Sequence, residues 1–319
     1  MRARRLLVLL GVLAVLGALF VAGRMAQQPG EPYHRALVNI NTDQVARIVV
    51  EGPKGRTELE RGPDGWRLTE PVDYPAEQDL VGGTLGFLSG LTSNAVISTN
   101  PDKAELFEVD DAHGVKVSLY FAGEADPKVR LVVGKLAPGF SNTYVRVDGE
   151  PEVHQVAGAL RFQLERDPTQ WRDKNVLAFE PAAIGRVLLV GGGRAAVRRT
   201  DSGWAWDGPN PPAGAPSTEA VERLVKHLSA LRALGFVDEP PEPPEAPLMT
   251  ITLGRAGDES PIDLVVEAGD GARYRVVAEA DPQRFLVARG LLEPYVTDSE
   301  AALRGDGGAD AAPPEPAAP

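Results

Sequence analysis

The sequence contains no cysteine in its 319 residues. Disulfide frameworks, thiolate metal sites, thiol nucleophiles and a lipidated N-terminal cysteine are therefore all excluded. Basic patches are scarce as well, because 45 Asp and Glu residues outnumber 33 Lys and Arg residues and give a net charge of -12. Nucleic-acid binding needs a concentrated basic surface, so we expect no nucleic-acid partner.

Patterns typical of metal and cofactor sites are also missing. The acidic stretch at 104–114 lacks the alternating oxygen ligands and the central glycine of a calcium loop. The histidines lie far apart, with no other His or carboxylate at the spacing of metal ligands. They are His34, His113, His154 and His227. We therefore predict no metal and no cofactor.

No motif assigns a reaction to this chain. Ser89 lies in a predicted helix without the glycine two positions earlier that a nucleophile elbow requires. Gly191, Gly193 and Ala196 have the spacing of a dinucleotide fingerprint, but the residues that follow continue as a strand, so we predict a hairpin turn. We predict no catalytic residues and a non-enzymatic protein. An envelope hydrolase remains an alternative that a pocket of convergent titratable groups would support.

The N-terminus holds the longest apolar run of the sequence. Eighteen uncharged residues, Leu6 to Gly23, follow Arg2, Arg4 and Arg5 and end at Arg24. As a helix they would span about 27 Å, close to the hydrocarbon thickness of a bilayer. Positive charges before the run place the N-terminus in the cytoplasm and the rest of the chain outside it.

This pattern predicts a cytoplasmic start and transmembrane anchor at 1–24 and a polar tether at 25–43. A cleaved signal peptide is the alternative, because Val21 to Gly23 has the small residues of a cleavage site. The predicted location is a membrane, crossed once, with the bulk of the chain on the extracytoplasmic side.

Two long stretches of the remaining chain follow the same order of patterns. "GWRLTEPVDYPAEQDLVGGTLGFLSGL" begins at Gly65, and "GWAWDGPNPPAGAPSTEAVERLVKHLSAL" begins at Gly203. Each contains a Gly-Trp strand, a proline-bearing turn and a helix with an apolar face. Strand patterns before and after them also match at offsets of about 130 to 140 residues. The sequence therefore predicts a duplicated domain.

The predicted fold class is α+β, with two tandem repeats of antiparallel meander sheet, each with a helix packed on one face. The predicted ranges are a first repeat at 44–170, an inter-repeat joint at 171–180, a second repeat at 181–298 and a disordered tail at 299–319. An acidic proline-rich linker at 238–247 interrupts the second repeat.

The two predicted helices differ in quality. Pro75 suits the first turn of the first helix, but Gly82, Gly83 and Gly86 weaken it by up to about 1 kcal/mol each. Small residues also allow a helix to lie close to a sheet. The second helix has a cleaner apolar stripe, and Ser217 is its expected N-cap.

Tryptophans mark the repeats and the joint. Trp66 and Trp204 occupy equivalent strands, where we expect core aromatics that pin helix to sheet, with ligand stacking as the alternative. At the joint we select Trp171, followed by a charged triplet, as an interaction site that either clamps the repeats together or borders a groove. The triplet is Arg172, Asp173 and Lys174.

"GWRLTEPVDYPAEQDLVGGTLGFLSGL", "NTYVRVDGEPEVHQV" and "WRDKNVLAF" together resemble an uncharacterised bacterial family, defined as a domain of unknown function. The resemblance covers nearly all of Val45 to Leu292 and implies an N-terminal membrane anchor and no catalytic residues. Family members are often encoded beside ABC transporters similar to the gliding-motility auxiliary type. The proline-rich linker and the glycine-rich first helix depart from the family's usual pattern.

We therefore expect a non-enzymatic, extracytoplasmic accessory or scaffold module of an ABC-type transport system. Its expected partners are the membrane, through the N-terminal helix, and transporter subunits. The alternative is a binding protein for a lipid, glycan or peptide that uses a groove between the repeats.

Overall fold

The structure is a computed structural model that describes residues 34–238, 246–255, 260–278 and 281–306. The predicted anchor and most of the proline-rich linker lie outside these ranges. Within them, no helix has both the length and the apolar character needed to cross a membrane. The chain divides into two compact units between Arg172 and Asp173. We call the part up to Arg172 unit 1 and the part from Asp173 unit 2.

The described part of unit 1 contains one antiparallel ten-stranded sheet, in the order β1-β6-β10-β9-β8-β7-β2-β3-β4-β5. Its strands are β1 (Arg35–Ala36), β2 (Val45–Gly52), β3 (Gly55–Gly62), β4 (Gly65–Glu70), β5 (Tyr74–Pro75), β6 (Thr92–Ser98), β7 (Val115–Phe121), β8 (Val129–Leu136), β9 (Asn142–Val147) and β10 (Val153–Ala157). Its helices are α1 (Gln78–Ser89), α2 (Leu160–Leu164) and α3 (Pro168–Trp171), and 3-10 turns cover Thr42–Gln44, Pro101–Lys103 and Glu105–Phe107.

The described part of unit 2 contains one antiparallel eight-stranded sheet, in the order β13-β12-β11-β15-β16-β17-β18-β14. Its strands are β11 (Ile184–Gly191), β12 (Gly193–Thr200), β13 (Gly203–Trp206), β14 (Gly235–Val237), β15 (Met249–Arg255), β16 (Ile262–Glu267), β17 (Arg273–Ala278) and β18 (Asp281–Ala288). Its helices are α4 (Thr218–Ser229), α5 (Arg289–Thr297) and α6 (Ser299–Arg304), with a 3-10 turn at Pro181–Ala183.

The two sheets repeat one topology. Read from β14 to β13, the second sheet matches the first from β6 to β4, strand for strand. The counterpart of β1 in unit 2 is an isolated bridge between Asn175 and Arg232. Val176 N donates to Leu231 O at 2.9 Å there, as Leu37 N donates to Leu91 O at 2.9 Å in unit 1. The order of elements that the sequence repeats therefore corresponds to a fold that occurs twice in the chain.

In each unit, one face of the sheet and an apolar helix face form the core. The buried residues of α1 are Val81, Thr84, Leu85 and Leu88, and those of α4 are Ala220, Val221, Leu224, Val225 and Leu228. In strand β2, Val45, Ile48 and Val50 join the core of unit 1, with a register shift after Val45. The α+β class, with mostly antiparallel sheets and a few helices, is thereby confirmed.

Unit 1 also has a small second core on the other face of its sheet. The segment between β6 and β7 folds over this face, and Phe107 meets Tyr144 edge-on with ring centroids 4.8 Å apart. Val109, Val132 and Val153 are buried around this pair. The proline-rich linker occupies the same place in the order of unit 2, between β14 and β15.

Two predicted boundaries are wrong. Part of the predicted tether belongs to unit 1, because β1 pairs with β6 and Val38 is only 3% exposed. Part of the predicted tail belongs to unit 2, because 299–304 form α6. Asp298 caps this helix by accepting from two backbone N–H groups, and Leu303 is fully buried. The remaining tail, from residue 307, lies outside the described residues.

The first helix also differs from its prediction. Pro75 does not begin the helix but pairs in strand β5. Gly82, Gly83 and Gly86 are exposed, and a Cβ added at any of them would meet no atom within 4 Å. These glycines therefore do not bring the helix close to the sheet. In the second helix the predicted cap is confirmed, because Ser217 Oγ accepts from Ala220 N at 3.2 Å.

Candidate functional site

The first half of the predicted joint is built into unit 1. Trp171 and Arg172 are each 1% exposed, and Trp171 belongs to the unit 1 core. Trp171 O accepts from Glu77 N at 2.8 Å, at the start of α1. The Arg172 guanidinium carbon lies 4.5 Å from the centroid of the Tyr74 ring, a cation–π contact. Both side chains are thus buried and make contacts within unit 1, so neither is exposed for contact with a partner.

The second half of the joint opens unit 2. Asp173 Oδ1 accepts from Asn175 N at 3.0 Å and from Asn175 Nδ2 at 2.8 Å, which fixes a turn. Lys174 O accepts from Ala233 N at 2.7 Å, next to the bridge that replaces β1. The backbone of this half therefore starts the second sheet. Its role in binding a partner stays a prediction.

The two Gly-Trp strands pin their helices in the same way. Trp66 is 7% and Trp204 is 5% exposed, so both are core aromatics as predicted. Arg61 lies over the Trp66 ring at 4.9 Å, and its counterpart Arg199 lies over the Trp204 ring at 4.7 Å. Trp204 Nε1 also donates to Glu222 Oε1 of α4 at 2.8 Å. Stacking on a ligand would require these rings at the surface.

The chain also folds as predicted at the glycines 191–193. Strand β11 turns directly into β12, and Gly193 adopts a φ of 91°. This hairpin rules out the helix N-terminus that a dinucleotide pyrophosphate requires at this point.

One concave feature of unit 1 lies where the β2–β3 hairpin meets the segment that joins α2 to α3. It is a cavity of about 260 Å³. The polar side chains that line it include Lys54, Arg56, Glu165 and Arg166, with Gly52 at the hairpin. Cations and a carboxylate are thus brought together by two segments more than a hundred residues apart.

Glu165 is held in this cavity by an ion-pair network. Its Oε2 accepts from Arg161 Nε at 2.9 Å, and Arg161 Nη1 donates to Glu108 Oε2 at 2.6 Å. Arg161 Nη2 also donates to His113 O at 3.1 Å. Burial opposes the charge of Arg161, but its hydrogen bonds to Glu165 and Glu108 prevail and raise its pKa. The network fixes Glu165, and its other oxygen, Oε1, is buried without a hydrogen-bond partner among the described residues.

Three of the four histidines have a pKa away from its usual range, and burial lowers that of His227. His113 is exposed, and the hydrogen bond and charge of Asp110, 2.9 Å away, raise its pKa. His154 is fully buried, and burial followed by the charge of Arg35 lowers its pKa. These opposite directions follow from a neighbouring carboxylate in one case and from lost solvation in the other.

His154 also lies beside a serine, as a nucleophile and its base would. His154 Nδ1 lies 3.1 Å from Ser93 Oγ, and Ser93 Oγ donates to Ala95 O at 3.1 Å. The hydroxyl hydrogen of Ser93 is thus directed to a backbone carbonyl and not to the imidazole. Ser93 and His154 are both 0% exposed. Across the described residues, no group of three or more His, Asp or Glu side chains is placed to hold a metal ion.

Two exposed phenylalanines mark one end of the unit 1 sheet. Phe140 is 80% and Phe162 is 70% exposed. Phe140 lies in the β8–β9 turn, two residues before Asn142, and Phe162 lies in α2, five residues after Ala157, the residue that pairs with Asn142. We call these two residues the aromatic end. Phe140 has a φ of 58°, a left-handed conformation that costs a non-glycine residue about 1–3 kcal/mol.

Sequence reasoning selected neither Glu165 nor the aromatic end. Glu165 stands in an ordinary charged stretch, and the residue that follows α5 in unit 2, Asp298, is acidic as well, so no local pattern distinguishes Glu165. Phe140 follows Pro138 and Gly139 in a turn, where a large aromatic is unusual enough to have been noticed.

Comparisons with known proteins identify a family without assigning an activity. A search of curated proteins and a search of solved structures each found no match. Residues 66–249, more than half of the chain, match the domain of unknown function DUF4340. The match begins at the first Gly-Trp strand and ends in β15 of unit 2, so it includes the joint and both helices. The chain belongs to this uncharacterised domain family.

Proposed function

We propose that this protein is a non-enzymatic accessory module of an ABC-type transport system, anchored in a bacterial inner membrane with its two units on the periplasmic side. The aromatic end carries the proposal. Two phenylalanines at least 70% exposed, one of them in a strained turn, are costly in a protein that works alone. Large exposed aromatics are enriched where proteins bind each other.

The sequence supports the membrane part of this proposal. The apolar run from Leu6 to Gly23 is long enough to cross a bilayer, and the arginines before it favour a cytoplasmic start. The transporter as partner comes from the family resemblance described above. A reporter enzyme that is active only outside the cytoplasm, fused after residue 306, tests the orientation. We expect activity, and an inactive fusion of a stable protein would contradict it.

Affinity purification of the tagged, full-length protein from gently solubilised native membranes tests the function. We expect transporter subunits in near-equal amounts with the wild-type protein, and their loss with the double variant Phe140→Ser and Phe162→Ser. Leu234→Ser is the matched control, because Leu234 is 58% exposed but lies in unit 2. Recovery of no transport subunit with the wild-type protein would refute the proposal.

The alternative, a ligand-binding protein, is not favoured at its predicted place. A groove bordered by Trp171 needs that ring at the surface, and Trp171 is 1% exposed in the unit 1 core. A ligand-binding role is better supported at the cavity beside Glu165.

A further inference from the structure

Glu165 contains a buried oxygen that the fold does not satisfy. The side chain is 8% exposed, and its Oε2 pairs with Arg161. Its Oε1 has no hydrogen-bond partner among the residues that the structure describes. A Cβ built on Gly52 would lie 3.0 Å from this Oε1, so the oxygen faces the hairpin side of the cavity. Buried carboxylate oxygens are rarely left unpaired in native proteins, so this one calls for a donor.

The cations around the cavity differ in whether carboxylates of the protein already form ion pairs with them. Arg56 is surrounded by the carboxylates of Glu51, Glu58 and Glu70, and these hydrogen bonds, Glu58 first, raise its pKa. Lys54, at the hairpin turn, is exposed and forms no ion pair with any described residue. Two other charged residues also line the cavity: Arg166 donates to Gln163 O at 2.9 Å, and Asp167 accepts from Thr169 N at 2.9 Å. The groups left without a partner are therefore Glu165 Oε1 inside the cavity and the Lys54 ammonium at its rim.

In unit 2 the space that corresponds to this cavity is filled by protein atoms. Ser299 N donates to Gly192 O at 2.9 Å, so the segment that joins α5 to α6 lies directly on the β11–β12 hairpin. A Cβ added at Gly192 would approach Val296 O to 2.2 Å, which shows that no room remains. Lys54 has no lysine counterpart in this glycine-rich turn. Because unit 2 has the same topology with this space filled, the cavity of unit 1 is a feature of that unit and not a requirement of the topology.

We propose that the cavity beside Glu165 binds a small zwitterion in which a short chain joins a primary ammonium to a phosphate or carboxylate. The ammonium donates to Glu165 Oε1, and the anionic group lies at the rim beside Lys54. The volume of about 260 Å³ admits a molecule of this size. The inference does not rest on the transporter as partner.

Calorimetric titration of the purified full-length protein tests the site. The probes are O-phosphoethanolamine and β-alanine, which carry both charges and differ in the acid. Phosphocholine, which lacks an N–H donor, and ethanolamine, which lacks the anion, are the controls. We expect saturable binding of at least one of the two zwitterions, and binding about tenfold weaker or less for both controls.

Variants locate the binding. We expect Glu165→Gln to weaken it about tenfold or more, and Lys54→Met to weaken it to a smaller degree. Lys103→Met is the matched control, since Lys103 lies on a 3-10 turn and does not line the cavity. Gly52→Ala keeps every charge and places a methyl group against Oε1, so it should abolish binding in a protein whose melting shows it folded.

The outcomes separate clearly. Binding lost in both Glu165→Gln and Gly52→Ala, and kept in Lys103→Met, supports the site. The proposal is overturned if neither zwitterion binds, if phosphocholine binds equally well, or if Gly52→Ala binds like the wild-type protein. Recovery of no transporter subunit with the wild-type protein, while the zwitterion still binds, would overturn the proposed function alone.

Discussion

The backbone N–H of Ser217 donates to the carbonyl oxygen of Leu303 at 2.9 Å. The same bond occurs in unit 1, where Glu77 N donates to Trp171 O at 2.8 Å. In both units the last segment of the repeat therefore returns to the N-terminal end of the long helix and satisfies a backbone donor there. Leu303 and Trp171 hold equivalent positions and are both buried.

Truncation at two points tests this closing segment. Ending the chain after residue 298 removes α6 and should destabilise unit 2, because Leu303 and the acceptor of Ser217 N are lost. Ending it after residue 306 should leave the melting temperature unchanged. The substitution Leu303→Ala should cost about 2–5 kcal/mol in the free energy of unfolding, measured by urea denaturation. Equal stability of the two truncated chains would show that α6 does not support the unit.

His113 should titrate above its ordinary pKa of 6.5, because Asp110 accepts a hydrogen bond from its ring. This raised pKa stabilises the folded state fully below 6.5 and the gain disappears as pH rises through the folded value. Histidine proton shifts in NMR, followed against pH, measure it. In Asp110→Asn the pKa should return toward 6.5, and an unchanged titration would show that Asp110 is not the cause.

His154 should titrate in the opposite direction. Burial, then the charge of Arg35, lowers its pKa below 6.5. The imidazole is therefore protonated more readily in the unfolded chain than in the folded protein. As pH falls from 6.5 through the folded pKa, the folded state loses stability relative to the unfolded state. In the same NMR titration, His154 should stay neutral at a pH where His113 is largely protonated. A His154 midpoint at or above that of His113 would contradict the buried, neutral ring.

The glycines of α1 offer a gain in stability. Gly82, Gly83 and Gly86 are exposed, and a Cβ at any of them meets no atom within 4 Å. Each change to Ala should add about 0.5–1 kcal/mol to the free energy of unfolding, because alanine is the better helix former. Thermal and urea melts of the single and triple variants measure it. A loss of stability in the triple variant would mean that another surface covers this face of α1.

Gly192 should respond in the opposite way to the same substitution. A Cβ there would lie 2.2 Å from Val296 O and 2.8 Å from Tyr295 O, both backbone atoms that cannot move aside cheaply. Gly192→Ala should destabilise unit 2 by about 1–3 kcal/mol. Gly290→Ala, in α5 and with no atom within 4 Å of the added Cβ, is the control and should not destabilise. Equal effects would refute the tight closure of the second hairpin.

The alternation of apolar and polar residues along the strands made most of the fold predictable. Strands β2 to β4 and β7 to β10, the hairpin at the glycines and the Ser217 cap all follow from local patterns. Strand β6 was not predictable in this way, because "TSNAVIS" has no alternation of apolar and polar residues. Ser93 is its only buried residue. The strand is held by pairing with β1 and β10, which no local pattern reveals.

The candidate site was less predictable than the fold. The joint was selected because it combines a tryptophan with three charged residues. In the structure, Trp171 is a core residue of unit 1. Glu165 becomes distinctive only when the fold brings it against Gly52, and when the second repeat is seen to fill the same space. Burial and the absence of a partner are properties of assembled structure, and a linear sequence does not carry them.

The strand order has a consequence for how the chain reaches its native state. Strands β2 to β4 are joined by short turns, as are β7 to β10, so each group can form as soon as its residues are made. The two groups meet only where β2 pairs with β7, and Ile48 must find Leu119 across about seventy intervening residues. The same delay recurs at β11 and β15. During synthesis, one edge of β2 is exposed until β7 emerges, which is the interval when the nascent protein most needs protection from wrong pairing.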